Sequence, residues 1–136
     1  MDVKKNRTEL IEALRSGEYE QGRMSLKVTN DLNQTLYCPL GIACEIYHKH
    51  NPDNSGWLDN YYHDSQLRAF SIDKGVCGSI SATSPPSEVA EFFGFSGYDV
   101  GTIMVNNDTH HKDFDFVADL IESLPIYKGV ENGERV

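Results

Sequence analysis

The strongest constraint on the fold of this chain is the stretch that follows Cys38. Pro39 fits the first turn of a helix, where its missing N–H removes no hydrogen bond. The apolar residues after it recur with helical spacing, at Leu40, Ala43, Cys44 and Tyr47. The polar run 48–55, which contains Pro52, ends the pattern. A buried helix here needs other elements to cover it, and the rest of the chain offers several.

A first helix is predicted from about residue 7 to residue 16. Its apolar stripe consists of Leu10, Ile11 and Leu14. Asn6 is a suitable N-cap, and Glu9 three residues later completes a capping-box pattern. Gly17 is expected in the left-handed conformation that ends many helices. Residues 18–22 are then expected to form a polar turn or a short second helical segment.

The predicted strands are short. Apolar and polar residues alternate from Met24 to Thr29, which predicts a strand. A run of turn-forming residues follows, and residues 35–38 are predicted to form the second strand of an antiparallel hairpin. Residues 79–83 and 102–105 are predicted as further strands, and 106–108 as a turn. The remainder of 56–84 has no clear period.

Two more helices complete the prediction. The first follows Pro85-Pro86 and ends at Gly94, and the second runs from about residue 113 to residue 124. Together these patterns predict a single small α+β domain over residues 1–127, with about four helices packed on a small antiparallel sheet. Residues 128–136 are predicted to be a flexible tail.

Charge and hydropathy argue against several classes of function. The net charge is −9, with +1 in residues 1–27 and −10 in residues 28–136. An acidic surface repels phosphate backbones, so direct nucleic-acid binding is not expected. No apolar run approaches the roughly 20 residues that span a bilayer, so no membrane partner is expected, and the charged N-terminus does not resemble a signal peptide. A cytoplasmic protein is predicted. Its acidic half serves solubility or fills a basic groove on a partner, as nucleic-acid mimics do.

Two places are candidates for catalysis. Cys38 precedes a helix N-terminus, where a thiol pKa is lowered, and His110-His111 lie among aspartates. A cysteine nucleophile needs an oriented base, which the sequence does not identify, and adjacent histidines do not match zinc-site spacing. Walker, GxGxxG and GxSxG motifs do not occur. We therefore expect no metal and no cofactor, and a small enzyme using Cys38 or the His110/His111 pair stays an alternative.

The turn at residues 15–23 holds the strongest candidates for ligand binding. Four of its side chains supply donors, a stacking ring and an amide, as a pocket for a small anionic or nucleotide-like ligand requires: Arg15, Tyr19, Gln21 and Arg23. The structural alternative is that arginine and glutamine tie the turn to the hairpin by hydrogen bonds.

Several segments together resemble a family of small uncharacterised proteins encoded by bacteriophages and by bacteria that carry related elements. They are LRSGEYEQG (14–22), YCPLGIAC (37–44), PSEVAEFFGF (86–95), and ND (107–108) followed by FDFVADLIE (114–122). The chain departs from the family pattern at Met24, where glycine is common, and at Pro39, which replaces a second cysteine. The resemblance implies a phage accessory protein in the bacterial cytoplasm, and no transferable activity.

These observations lead to a hypothesis of function. The protein is expected to act by binding, in counter-defence or host takeover, with a small anionic ligand or a host protein as its partner. A homo-oligomer, an acidic nucleic-acid mimic and a small enzyme are the alternatives.

Overall fold

The computed structural model describes residues 2–59, 67–72 and 79–128 of the 136-residue chain. The described residues form five helices and six strands, where about four helices were predicted, and the α+β class is confirmed. In chain order the elements are α1 (Val3–Arg15), β1 (Glu20–Gln21), β2 (Lys27–Thr29), β3 (Thr35–Tyr37), α2 (Pro39–His50), β4 (Ser55–Asp59), β5 (Leu67–Ile72), β6 (Ser79–Ser81), α3 (Ser87–Phe92), α4 (Gly97–Asp108) and α5 (Phe114–Ser123). Apart from Lys128, the predicted tail lies outside the described residues.

The sheet has the strand order β1-β3-β2-β5-β4, and β6 pairs with β5 off this path. The predicted hairpin is confirmed, because β2 and β3 are antiparallel with Val28 opposite Leu36. Strand β2 begins three residues later than predicted, since Met24 adopts a left-handed φ of 70° that interrupts an extended chain. Strand β1 was not predicted. It pairs in parallel with β3, so the sheet is mixed and not purely antiparallel.

Helix α2 lies at the centre of the core, as its sequence pattern predicted. It contacts two strands of the sheet, β3 and β4, and two other strands lie between them. It also contacts the helices α1, α3 and α4. All residues from Pro39 to Cys44 are buried. A Cβ at Gly41 would lie 1.8 Å from the carbonyl oxygen of Leu26. The helix therefore packs directly on the backbone that leads into β2, and only glycine fits at this position.

Helix α1 begins earlier than predicted. Its N-cap is Asp2, whose side chain accepts a hydrogen bond from the backbone N–H of Lys5. The predicted N-cap, Asn6, lies inside the helix and is buried. Its Nδ2 donates to the carbonyl oxygen of Phe92 at 2.9 Å. The polar side chain that resembled a cap instead joins α1 to the end of α3.

Arg7 extends this junction. It is buried, and its guanidinium donates to three carbonyl oxygens, those of Phe93, Gly94 and Leu124. Burial lowers the pKa of Arg7 from its ordinary value. Because one planar group satisfies carbonyls from two places in the chain, α1 is held against the ends of both α3 and α5.

Helix α4 occupies residues for which a strand at 102–105 and a turn at 106–108 were predicted, and that prediction is wrong. A capping box begins the helix: Ser96 Oγ accepts from the backbone N–H of Asp99, and Asp99 Oδ2 accepts from the backbone N–H of Ser96. Ile103 and Asn107, one turn apart, are fully buried. The cap and this burial outweigh the weak helix preference of the local glycines and β-branched residues.

The other two predicted helices are confirmed as α3 and α5. Gly94 ends the α3 region with a φ of 70°, and the Asp113 side chain caps α5 by accepting from the backbone N–H of Phe116 at 2.8 Å. Among the described helices, none has the length and apolar character needed to cross a membrane.

Candidate functional site

The turn at residues 15–23 connects the end of α1 to the edge of the sheet. Gly17, with a φ of 78°, reverses the chain after α1, as predicted. The chain then enters β1 beside β3. The four predicted ligand-binding side chains do not converge on one place: Gln21 and Arg23 contact the end of α4, while Arg15 and Tyr19 lie elsewhere.

Arg15 faces α5. Its Nη2 lies 2.6 Å from Asp119 Oδ1 and 3.4 Å from Glu122 Oε1. Hydrogen bonds from these two carboxylates raise the pKa of Arg15. Arg15 thus serves to join the C-terminal end of α1 to α5, and its charge is compensated by two acids.

Gln21 and Arg23 converge at the C-terminal end of α4. Gln21 Nε2 donates to Asn107 Oδ1 and to the carbonyl oxygen of Lys112, both at 2.7 Å. Arg23 Nε donates to the carbonyl oxygen of Asn107 at 3.0 Å. Asn107 Nδ2 in turn donates to the carbonyl oxygen of Gly22. The structural alternative therefore describes these contacts, except that the turn is tied to α4 and not to the hairpin.

Tyr19 is the one of the four that lines a large groove. Its ring meets the Tyr37 ring edge-on, with centroids 5.2 Å apart. Burial of the ring raises the pKa of the Tyr19 phenol, and the nearby charge of Glu45 adds to the effect. The phenol therefore stays neutral near pH 7, where it presents an aromatic face and a hydroxyl.

The groove lies between α1 and α2, with a volume of about 610 Å³. We call it the α1–α2 groove, and its polar and apolar lining includes Glu9, Glu12, Glu18, Tyr19, Glu45, Ile46 and Lys49. Glu9 is engaged there, since its carboxylate lies 2.9 Å from Lys49 Nζ and 2.7 Å from His50 Nε2. Within the described part of the chain, the carboxylates of Glu12 and Glu18 make no hydrogen bond or ion pair. The groove therefore has an excess of negative charge.

Glu45 contributes to the groove from α2 and holds a cluster of rings. Its Oε1 accepts hydrogen bonds from Trp57 Nε1 at 2.6 Å, from the Tyr37 hydroxyl at 3.2 Å and from Lys27 Nζ at 3.3 Å. The Lys27 ammonium also lies 4.9 Å from the centroid of the Trp57 ring. These contacts fix the position of Glu45 and of the Tyr37 ring that supports Tyr19.

Glu45 was not predicted from the sequence as a functional candidate. One signal was available, because Glu45 is the only acid in the helix from Pro39 to His50 and follows an apolar run. A single carboxylate in such a helix requires partners. Those partners, on β2, β3 and β4, are brought together only by the folded sheet.

The catalytic candidates have different surroundings from those a reactive site requires. Cys38 is buried, and burial raises the pKa of its thiol to about 12. Its Sγ accepts a hydrogen bond from the backbone N–H of Gly41 at 3.3 Å, as an N-cap does. A neutral buried thiol is a poor nucleophile. Cys38 therefore has a structural contact at the start of α2.

His110 and His111 lie exposed in the segment after α4. In the described residues, no three side chains of His, Cys, Asp or Glu come close enough to hold a metal ion together.

Three of the sequence segments that carry the resemblance meet one another in the structure. Gln21 and Gly22 from the first segment contact Asn107, and Arg15 from that segment contacts the Asp119 and Glu122 of the last. These contacts join the turn after α1 to the end of α4 and to α5.

Comparison with known proteins found a family model that matches residues 2–124, described as a domain of unknown function, DUF8296. Searches among curated proteins and among solved structures found no match. Because the family model covers most of the 136 residues, the chain belongs to the DUF8296 family of domains of unknown function.

Proposed function

We propose that this protein acts by binding, as an accessory protein of a bacteriophage or related mobile element in the bacterial cytoplasm. Its partner in this proposal is a host protein with a basic surface, of the kind that binds nucleic acid, and the contact is made at the α1–α2 groove. Counter-defence or host takeover would be the purpose of that contact.

The charge of the groove is the observation that carries the proposal. Glu12 and Glu18 have no partner among the described residues, while Glu9 and Glu45 are held in place by neighbours on α2 and the sheet. Fixed and free carboxylates on one concave surface attract cationic groups and raise the rate at which a basic partner associates.

The apolar part of the groove supports the same partner. Tyr19 offers an aromatic face next to the carboxylates, and Ile46, which is only 4% exposed, adds a small aliphatic area. Lysine and arginine side chains match both, because their methylene stems pack on apolar surface while their charged ends contact carboxylates or ring faces.

The same features do not favour the small anionic ligand predicted from the sequence. Arg15 is paired with two acids, and both amide hydrogens of Gln21 have acceptors within the protein. Few donors are left for a phosphate on this side of the turn. A cationic segment fits the available charge better, and the buried Cys38 favours binding over catalysis.

Capture from host lysate tests the proposal. The full chain is used as bait beside two variants with the same change in charge: Glu12→Lys/Glu18→Lys in the groove, and Asp53→Lys/Asp115→Lys outside its lining. We expect the original chain and the second variant to retain the same basic host protein, identified by mass spectrometry, and the groove variant to lose it.

The result must also depend on salt, since surface charges are screened as ionic strength rises. Equal retention by both variants, or a captured partner without a basic surface, would contradict the proposal. Circular dichroism of each variant verifies that it is folded.

A further inference from the structure

Helix α4 presents an outward face that is unusual for a chain of net charge −9. Tyr98 is 81% exposed and Val105 is 46% exposed, and they lie seven residues apart on the same side of the helix. Gly97 and Gly101 lie beside them, and a Cβ added at either glycine would meet no atom within 4 Å. The outward face of α4 therefore consists of one aromatic and one aliphatic side chain, with exposed glycine backbone next to them.

The acidic residues of α4 add no charge to this face. The helix contains two acids and no base. Asp99 is buried in the capping box, and Asp108 Oδ1 accepts hydrogen bonds from the backbone N–H of Met24 and from Asn107 Nδ2. Both carboxylates are used inside the molecule, which leaves the outward face neutral.

The polar side chains of the face also donate hydrogen bonds within the helix. Thr102 Oγ1 donates to the carbonyl oxygen of Tyr98 at 3.0 Å, and Asn106 Nδ2 donates to the carbonyl oxygen of Thr102 at 2.9 Å. One hydrogen-bond donor of each side chain is therefore already paired within the helix and needs no partner from a covering surface.

We propose that the outward face of α4 binds the same face of a second copy of this chain, with the two α4 helices antiparallel. In a two-fold symmetric pair, a surface of one copy contacts the identical surface of the other copy. A surface with charges of one sign would therefore repel its counterpart, whereas a neutral surface would not.

The geometry of α4 fits this arrangement. When two antiparallel copies cross between Gly101 and Thr102, Tyr98 of each copy lies opposite Val105 of the other. The two residues are about 10 Å apart along the helix, so both apolar pairs form together, one on each side of the crossing. The glycines allow the backbones to approach closely, and the antiparallel helix dipoles attract each other.

A contact of one helix on one helix is smaller than a standard interface, so the dimer is expected to be weak.

Sedimentation velocity over a concentration series tests the dimer, because the sedimentation coefficient rises as monomers associate. Gly101→Ala and Tyr98→Ser are each expected to weaken the association about tenfold or more. Gly101→Ala is informative because the added methyl group has open space in the monomer and favours helix. A loss of dimer with no loss of monomer stability therefore points to the interface. Leu32→Ser, at an apolar position 80% exposed on the β2–β3 hairpin, is the control and is expected to change nothing.

Cysteine cross-linking tests the register. The chain has three cysteines, of which Cys38 and Cys44 are buried, so Cys77 is replaced by serine to leave no other candidate for cross-linking. In this Cys77→Ser background, an oxidised mixture of Tyr98→Cys and Val105→Cys chains is expected to form disulfide dimers in higher yield than either chain alone. A single monomeric species at all concentrations, a dimer unaffected by Gly101→Ala and Tyr98→Ser, or equal cross-linking in the mixture and in the separate chains would overturn the proposal.

Discussion

Gln21 and Asn107 are 86 residues apart in the chain, yet Gln21 Nε2 lies 2.7 Å from Asn107 Oδ1. Asn107 is completely buried, and its Nδ2 donates to the carbonyl oxygen of Gly22 at 3.0 Å. One buried amide therefore satisfies polar groups from two neighbouring residues of the turn. This pair of contacts fixes the turn at residues 15–23 on the end of α4.

Replacing Asn107 by alanine is expected to destabilise the fold by about 2–4 kcal/mol, because the carbonyl of Gly22 and the amide of Gln21 both lose a partner in a region with little access to water. Urea denaturation followed by circular dichroism measures the change. Asn106→Ala is the matched control. Among the described residues, the Asn106 side chain bonds only to the Thr102 carbonyl of its own helix, so a loss of about 0.5 kcal/mol or less is expected there. An equal loss of unfolding free energy in the two variants would show that the buried amide of Asn107 does not stabilise the fold more than an ordinary surface amide does.

Gly41→Ala is expected to destabilise the protein by about 3 kcal/mol or more, since the new methyl group would overlap the carbonyl of Leu26 and separate α2 from the sheet. Gly101→Ala makes the same chemical change in another helix, but in open space. At low protein concentration we expect that variant to gain about 0.5–1 kcal/mol from helix propensity. Thermal unfolding of both variants provides the comparison, and a Gly41→Ala variant as stable as the original chain would contradict the close packing of α2 on the backbone of Leu26.

Glu9 predicts a specific dependence of stability on pH. Burial alone would raise the pKa of Glu9, but hydrogen bonds from His50 and Lys49 outweigh it, and the pKa is lowered. A carboxyl group with a lowered pKa in the folded state contributes stability above its unfolded pKa, about 4.3, and that contribution is lost as the pH falls through the lower folded pKa.

The melting temperature of the original chain should therefore exceed that of Glu9→Gln near pH 7, and the difference should shrink as the pH falls below about 4. Glu12→Gln, at an exposed position of the same helix, is the matched control, because its carboxylate makes no ion pair with the described residues. A difference between the original chain and Glu9→Gln that stays constant over this range would exclude the proposed ion pairs as its source.

Much of the fold was predictable because the relevant signals are local. The apolar spacing after Pro39, the stop at Gly94 and the cap at Asp113 all identify helices that the structure contains. Helix α4 was not predicted, since Thr102, Ile103 and Val105 favour strands locally and the decisive burial of Ile103 depends on the whole fold. The Ser96–Asp99 capping box was the one local signal for that helix.

The site was less predictable. Arg15, Gln21 and Arg23 carry donors, and the sequence alone does not reveal whether those donors face a ligand or the protein itself. Their acceptors lie between 84 and 107 residues away, on α4 and α5 and the segment between them. The α1–α2 groove combines side chains from two separate helices and from the turn, so no contiguous motif represents it.

The most direct test of this account compares the affinity of the captured host protein for Tyr19→Ala and Arg23→Ala, measured by titration calorimetry with folded variants. Tyr19 lines the groove, whereas Arg23 holds the turn on α4. We predict that Tyr19→Ala raises the dissociation constant about tenfold or more and that Arg23→Ala changes it about twofold at most. An unchanged affinity for Tyr19→Ala together with a large loss for Arg23→Ala would contradict binding at the α1–α2 groove.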